Sequence, residues 1–120
     1  MATVLIVDDA AFMRLSIKMM LESNGFEVVG EAADGVEAIK QYVVCKPDIV
    51  TMDITMPNLT GIEALKAIRK QDPNAKVVMV SAMGQECLVK EAIISGAKTF
   101  IVKPFKEDHV VQTLKQIAGM

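Results

Sequence analysis

Hydrophobic residues along the chain follow two alternating patterns. Short apolar runs, interrupted only by Thr51 and rich in β-branched residues, occupy residues 4–7, 49–52, 77–80 and 100–102. Residues 26–32 alternate more weakly and include two glutamates. Uninterrupted apolar runs bounded by turn residues are typical of strands buried on both faces, and an alternating segment with charges is typical of an edge strand. The pattern therefore predicts five strands.

A segment with helical periodicity follows each predicted strand. The predicted helices cover about residues 12–23, 34–46, 60–72 and 85–95, and a final stripe runs through residues 110–118. Two of these helices begin with capping-box spacing, because Asp34 and Thr60 each stand three residues before a glutamate. Apolar residues cover more than one face of the first helix, so we expect much of it to be buried.

The periodicity also predicts which face of each later helix points inward. Apolar residues three or four positions apart mark the face of a helix that packs on a core. The predicted inward residues are Val36, Ile39 and Val43, then Ile62, Leu65 and Ile68, then Leu88, Ala92 and Ile93, and finally Val110, Val111, Leu114, Ile117 and Ala118. Strands that alternate with such helices predict an α/β fold with a doubly wound parallel sheet.

Composition narrows the possible functions. The chain has 120 residues, of which 52% are hydrophobic, so we expect a single domain spanning residues 1–120. A net charge of −2 argues against nucleic-acid binding, and no apolar run is long enough to cross a membrane. The N-terminus does not resemble a signal peptide. Cys45 and Cys87 are interpreted as reduced thiols, so we expect a cytoplasmic protein.

Polar residues follow four of the predicted strands at the point where each one ends. They are Asp8 and Asp9, Asp53, Ser81 and Lys103. Because the carboxyl ends of parallel strands meet at one edge of a sheet, these distant residues are expected to converge there, where α/β proteins bind ligands. The sequence thus predicts a polar site built from four strand ends.

The side chains of this predicted site favour magnesium and phosphoryl transfer. Asp8, Asp9 and Asp53 would repel one another, which raises the pKa of at least one of them unless a cation is present. Oxygen ligands suit Mg²⁺ and do not suit zinc. A metal, a lysine and a hydroxyl together can hold a phosphoryl group, and an aspartate can itself be the nucleophile.

The same residues carry a resemblance to a known family. The Asp8-Asp9 pair, Asp53 after its apolar strand, Met56-Pro57 with Gly61, Ser81-Ala82 and Lys103-Pro104-Phe105 resemble the response-regulator receiver family over the whole chain. Residues 8–14 and 81–85 are similar, more narrowly, to stand-alone chemotaxis regulators. The resemblance implies a flavodoxin-like fold with five helices and strand order 2-1-3-4-5.

The resemblance also implies roles for the residues of the site. Asp53 would accept a phosphoryl group from a histidine kinase. Mg²⁺ would be held directly by Asp9, Asp53 and the backbone carbonyl of Thr55, and Asp8 would act largely through water. Ser81 would donate a hydrogen bond to the phosphoryl group, and Lys103 would pair with it.

Further expectations concern the switch. Phe100 takes the aromatic switch position that acts with Ser81, and many chemotaxis regulators have tyrosine there. The Lys103–Pro104 peptide bond is expected to be cis.

The implied function is a monomeric signalling switch that catalyses only its own phosphorylation and dephosphorylation. A flagellar motor-switch protein, or another output protein, would bind the face formed by the fourth helix, the last strand and the last helix, and a phosphatase would be a further partner. Three alternatives stay open: a phosphorelay shuttle, a receiver domain of another regulator such as a DNA-binding one, and an enzyme that uses Asp53 as nucleophile on small substrates. The last would need a substrate pocket that so short a chain hardly provides.

Simpler roles compete for several of these residues. Asp8 or Asp9 is expected to cap the first helix whether or not it binds metal. Ser81 could be an ordinary turn residue, and Phe100, taken alone, could be a core residue. The only histidine, His109, lies in the first turn of the last helix and is interpreted as an exposed surface residue.

Overall fold

The computed structural model describes residues 2–119 and alternates five strands with five helices. The strands are β1 (Thr3–Val7), β2 (Glu27–Ala32), β3 (Ile49–Asp53), β4 (Val77–Ser81) and β5 (Thr99–Val102). The helices are α1 (Ala11–Glu22), α2 (Gly35–Cys45), α3 (Gly61–Gln71), α4 (Glu86–Ile94) and α5 (Glu107–Ala118). No helix within the described range is long and apolar enough to span a membrane.

The strands form one parallel sheet in the order β2-β1-β3-β4-β5. This arrangement confirms the predicted fold and the edge position of the alternating strand, β2. Two interior strands of the sheet, β3 and β4, are buried along their whole length. Burial on both faces explains why their sequences are almost uninterrupted apolar runs.

Helices cover both faces of the sheet, and each face has its own core. On one face, α2, α3 and α4 pack on alternate strand residues such as Val50, Met52 and Met79. On the other face, α1 and α5 pack on the intervening residues, such as Ile6 and Val78. Alternate side chains of a strand point to opposite faces, so every apolar position of the central strands has a helix to contact. The side chains at the carboxyl ends of the strands lie at the carboxyl edge of the sheet.

The predicted inward face of α2 is right at Ile39, which packs against the core, and wrong at Val36 and Val43. Val36 and Val43 are 44% and 47% exposed, whereas Ala38 and Tyr42 are buried against the sheet. The Tyr42 hydroxyl donates a hydrogen bond of 2.7 Å to Asp72 at the end of α3. This bond and the large buried ring turn the helix so that the tyrosine faces inward and the valines face outward.

The expectation for α1 is also wrong. Only Ile17 and Leu21 are buried in this helix, and Phe12, Leu15 and Met19 are between 55% and 81% exposed. A helix on the face of a sheet can bury only the stripe that points at the strands. Met13 and Met20 pack partly buried at the edge of that stripe, and Phe12, Leu15 and Met19 lie at the surface.

The predicted inward face of α4 also differs from the one in the structure. Ala92 is the only buried residue of α4, and Val89 packs beside it. Leu88 and Ile93, which were predicted to point inward, are 39% and 41% exposed. Because α4 is short and lies beside β4 and the edge strand β5, little of its surface meets the sheet. The predicted inward residues of α3 are buried, and so are Val110, Val111 and Leu114 of α5.

Candidate functional site

The sheet register brings the polar strand ends together. Val7 of β1 lies opposite Met52, and Asp53 of β3 lies opposite Val80. Asp8, which follows Val7, is therefore level with Asp53. Ser81, which follows Val80, lies one residue further along than Asp53. Ser81 in turn lies opposite Val102 of β5. Three strand pairings thus place Asp8, Asp53, Ser81 and Lys103 along one edge of the sheet.

Three carboxylates and one ammonium group form a compact cluster at this edge. One oxygen from each of Asp8, Asp9 and Asp53 lies within 4.8 Å of the others. The Lys103 Nζ atom is 3.2 Å from Asp8 Oδ2 and 3.6 Å from Asp53 Oδ2. Asp8 and Asp53 are buried and Asp9 is exposed. This geometry confirms that the four charged residues converge, and the Lys103–Pro104 bond is cis as expected.

Burial and neighbouring charges set the protonation of the cluster. Burial is the largest influence on Asp53 and raises the pKa of its carboxyl group to about 6. Lys103 lowers that pKa, while Asp8 and Asp9 raise it further. Burial lowers the pKa of Lys103, but the attraction of Asp53 and Asp8 outweighs it, so the pKa lies above its ordinary value of 10.5. At neutral pH the cluster holds an excess of negative charge beside one ammonium group.

An oxygen-only ligand set with excess negative charge fits a hard divalent cation. Each carboxylate of the cluster offers an oxygen, and the exposed position of Asp9 leaves room for water on the cation. Among the described residues no histidine or cysteine joins this cluster, so it lacks the imidazole and thiolate ligands that zinc and copper prefer. The donor chemistry is therefore that of a site for a hard divalent cation such as Mg²⁺.

The loop carrying Asp8 and Asp9 is held by contacts that the sequence analysis missed. Asp8 Oδ1 accepts a 2.9 Å bond from the Ala10 N–H, and the Arg14 Nη1 atom donates to the Asp8 carbonyl at 2.6 Å. Arg14 also pairs with Glu31 on β2 at 3.2 Å. The expectation that Asp8 or Asp9 caps α1 is wrong, because Ala10 is the N-cap residue and no side chain caps it. The Asp8 carboxylate turns back on its own loop instead.

The loop after Asp53 is fixed by a close backbone approach. A Cβ atom at Gly61 would lie 2.0 Å from the Asp53 carbonyl oxygen, so only glycine fits there. The Asn58 side chain, on a residue with a φ of 67°, donates a 2.8 Å bond to the carboxylate of Asp34. Asp34 caps α2 as predicted and accepts from the Glu37 N–H. The N-terminus of α2 thus holds the loop that follows the strand end at Asp53.

The hydroxyl and the aromatic ring predicted to act together occupy different environments. Ser81 is buried, and its Oγ atom has no hydrogen-bond partner among the described residues. Phe100 on β5 is 42% exposed and lines a groove of 560 Å³ between α4 and β5, whose other end reaches Ser81. A buried hydroxyl without a protein partner is able to bond a polar group placed beside it. His109 is exposed, as predicted.

The parallel sheet and the acidic site together define a receiver domain. The chain belongs to this family, since the sequence profile described as the response regulator receiver domain matches residues 4–115. Within it, the chain is CheY-like. It is 57% identical over 115 residues to the chemotaxis protein CheY of Thermotoga maritima, with 96% of each chain covered. It is 55% identical over 113 residues to CheY of Bacillus subtilis, with 94% of each chain covered.

Solved structures agree with this assignment. In the crystal structure of the CheX–CheY complex of Borrelia burgdorferi with BeF3 and Mg²⁺, the matched chain is 46% identical to this one and superposes with a TM-score of 0.92. The match covers 97% of this chain and 88% of that one. The chain is therefore a CheY-like response-regulator receiver domain of the two-component chemotaxis type.

Proposed function

We propose that Asp53 accepts a phosphoryl group from a chemotaxis-type histidine kinase in a Mg²⁺-dependent reaction. One observation carries the proposal: Asp53 lies within 4.8 Å of two further carboxylates and 3.6 Å from the Lys103 ammonium group. The relative from Borrelia burgdorferi was crystallised with BeF3, a mimic of a phosphoryl group, and Mg²⁺. This precedent and the oxygen-only cluster support the same chemistry here.

Each residue of the cluster has a distinct part in the proposed transfer. An Asp53 oxygen attacks phosphorus, an O–P bond forms, and the P–N bond to the kinase histidine breaks. With a pKa of about 6, Asp53 is mostly ionised at pH 7 and can act as the nucleophile. Lys103 holds a transferred oxygen and offsets its charge. Asp9, Asp53 and the Thr55 carbonyl would hold Mg²⁺, with Asp8 acting through water; the bound cation would neutralise charge on the phosphoryl oxygens.

The same proposal extends to the output of the switch. Ser81 has a buried hydroxyl free to bond a new anion on Asp53, and movement toward that anion would open space for the Phe100 ring. The groove lined by Phe100 lies between α4 and β5, within the predicted output face, and apolar side chains of α4 and β5 are exposed there. We assign this face to a flagellar motor-switch protein. A pull-down with and without beryllofluoride tests the assignment, which fails if the same proteins bind equally in both states.

Replacing Asp9 is expected to weaken Mg²⁺ binding. Wild-type affinity is expected to be roughly millimolar because few protein ligands contribute. Asp9→Ala removes one of three carboxylates and is expected to weaken binding at least tenfold, as followed by amide chemical shifts in a titration. Asp108→Ala, which removes an exposed carboxylate from α5, is the matched control and is expected to bind like the wild type. Unchanged affinity in Asp9→Ala would contradict the ligand assignment.

A further inference from the structure

The side chain of Gln85 bridges the two loops that flank Asp53. Its Oε1 atom accepts a 2.6 Å hydrogen bond from the Ala82 N–H, and its Nε2 atom donates a 2.9 Å bond to Thr55 Oγ1. Thr55 lies two residues after Asp53, and Ala82 directly follows the last residue of β4. A single carboxamide therefore ties the β3–α3 loop to the β4–α4 loop across the carboxyl edge of the sheet.

The Ala82 N–H lies near the strand end that carries Asp53. It directly follows Ser81, and the β3–β4 register puts Val80 opposite Asp53. Two consecutive donors thus stand at the strand end beside the nucleophile: the Ser81 hydroxyl, which is buried with no partner within residues 2–119, and the Ala82 N–H, which Gln85 occupies. Neutral donors aimed at developing charge are what a phosphoryl group requires. In the anion-free protein, the Gln85 carboxamide oxygen accepts the hydrogen bond of the Ala82 N–H, which an anion could otherwise accept.

We propose that the Gln85 side chain is a latch that competes with a phosphoryl-type anion at Asp53 for the Ala82 N–H. The inference rests on the proposed function and adds a positioning residue that tunes the affinity of the site. Gln85 is also the N-cap residue of α4. Its side chain makes no capping bond to that helix. Release of the side chain frees the two loops from each other, and the β4–α4 loop leads directly into the helix that borders the groove.

The first test compares wild-type protein with Gln85→Met, which keeps the length of the side chain and removes both hydrogen bonds. In the anion-free protein, the Ala82 amide is expected to exchange its hydrogen several-fold faster in the variant. With Mg²⁺ present, beryllofluoride is expected to bind roughly two- to tenfold more tightly, the factor that corresponds to one ordinary competing hydrogen bond. Both quantities can be followed at the Ala82 amide by NMR.

Controls separate the latch from general effects. Gln112→Met makes the same substitution on the exposed side of α5 and is expected to leave both readouts unchanged. Gln85→Asn keeps the amide but is one methylene too short to join the loops, so both readouts are expected to change as they do in Gln85→Met. The test can therefore be made with either variant if the other folds poorly.

Two outcomes would count against the inference in different ways. Equal exchange rates and equal or weaker anion binding in both Gln85 variants would overturn the latch and leave the proposed function standing. A wild-type protein that does not bind beryllofluoride at all would overturn the proposed function, and the competition with it.

Discussion

Asp53→Asn is expected to acquire no phosphoryl group from acetyl phosphate and Mg²⁺, whereas the wild-type chain is expected to acquire one. Asp53 alone ends the central strand with two acidic neighbours and the Lys103 ammonium group 3.6 Å away. It can attack phosphorus while Lys103 and the bound cation offset the charge that develops on the transferred oxygens. An amide lacks the nucleophilic oxygen charge, so the loss of labelling should be essentially complete. Intact mass measures the label, and borohydride trapping with peptide mapping locates it.

A substitution at the other end of the same strand is the matched control. Asp48→Asn changes an exposed aspartate just before β3 and is expected to be labelled like the wild type. Lys103→Ala is expected to be labelled as well but to lose much of the structural response, because Lys103 is proposed to hold the phosphoryl group after transfer. Full labelling of Asp53→Asn, or a stoichiometric label on another carboxylate in the wild type, would refute the proposed chemistry.

The sheet could be predicted from the sequence because burial on both faces leaves a distinctive pattern. Runs such as residues 77–80 have no polar position at which a solvent-facing side could exist. The weaker run at residues 26–32 carries charges, and it proved to be the edge strand β2. Once five parallel strands are inferred, the site follows, since every strand must end at the same edge.

The faces of the helices were harder to predict. Helix α2 has apolar residues nearly all round, so periodicity alone does not choose between Val36 and Val43 on one side and Ala38 and Tyr42 on another. The choice depends on packing and on the bond from Tyr42 to Asp72, which belongs to another helix. Tertiary contacts of this kind leave no mark in the local sequence.

The supporting contacts of the site were missed for a related reason. Arg14, Asn58 and Gln85 each bond to a residue on a different loop or strand. Their partners are set by loop conformations, such as the left-handed backbone at Asn58, that the sequence pattern does not specify. The strand-end residues could be predicted because topology fixes them. The residues that hold those loops could not, because their side chains reach across turns.

The charges gathered at the site carry a stability cost that depends on pH. Folding raises the pKa of Asp53 from its ordinary value of 3.8 to about 6, chiefly through burial. Between those two pH values the folded protein retains a proton that the unfolded chain releases. The free energy of unfolding therefore falls as pH rises through this window, and above it Asp53 is ionised in both states and the penalty is complete. A shift of this size corresponds to about 3 kcal/mol.

Without Mg²⁺, Asp53→Asn is therefore expected to be more stable than the wild type by about 1 to 3 kcal/mol at pH 7, with little difference near pH 4. The amide is neutral at every pH, so only the wild type loses stability as the buried carboxyl group ionises. Denaturant unfolding in EDTA at several pH values measures the difference. Glu22→Gln, an exposed change at the end of α1, is expected to shift stability by less than about 0.5 kcal/mol. If Asp53→Asn were less stable than the wild type at pH 7, the Asp53 carboxylate would be stabilising the fold, and the stability cost derived from its raised pKa would be wrong.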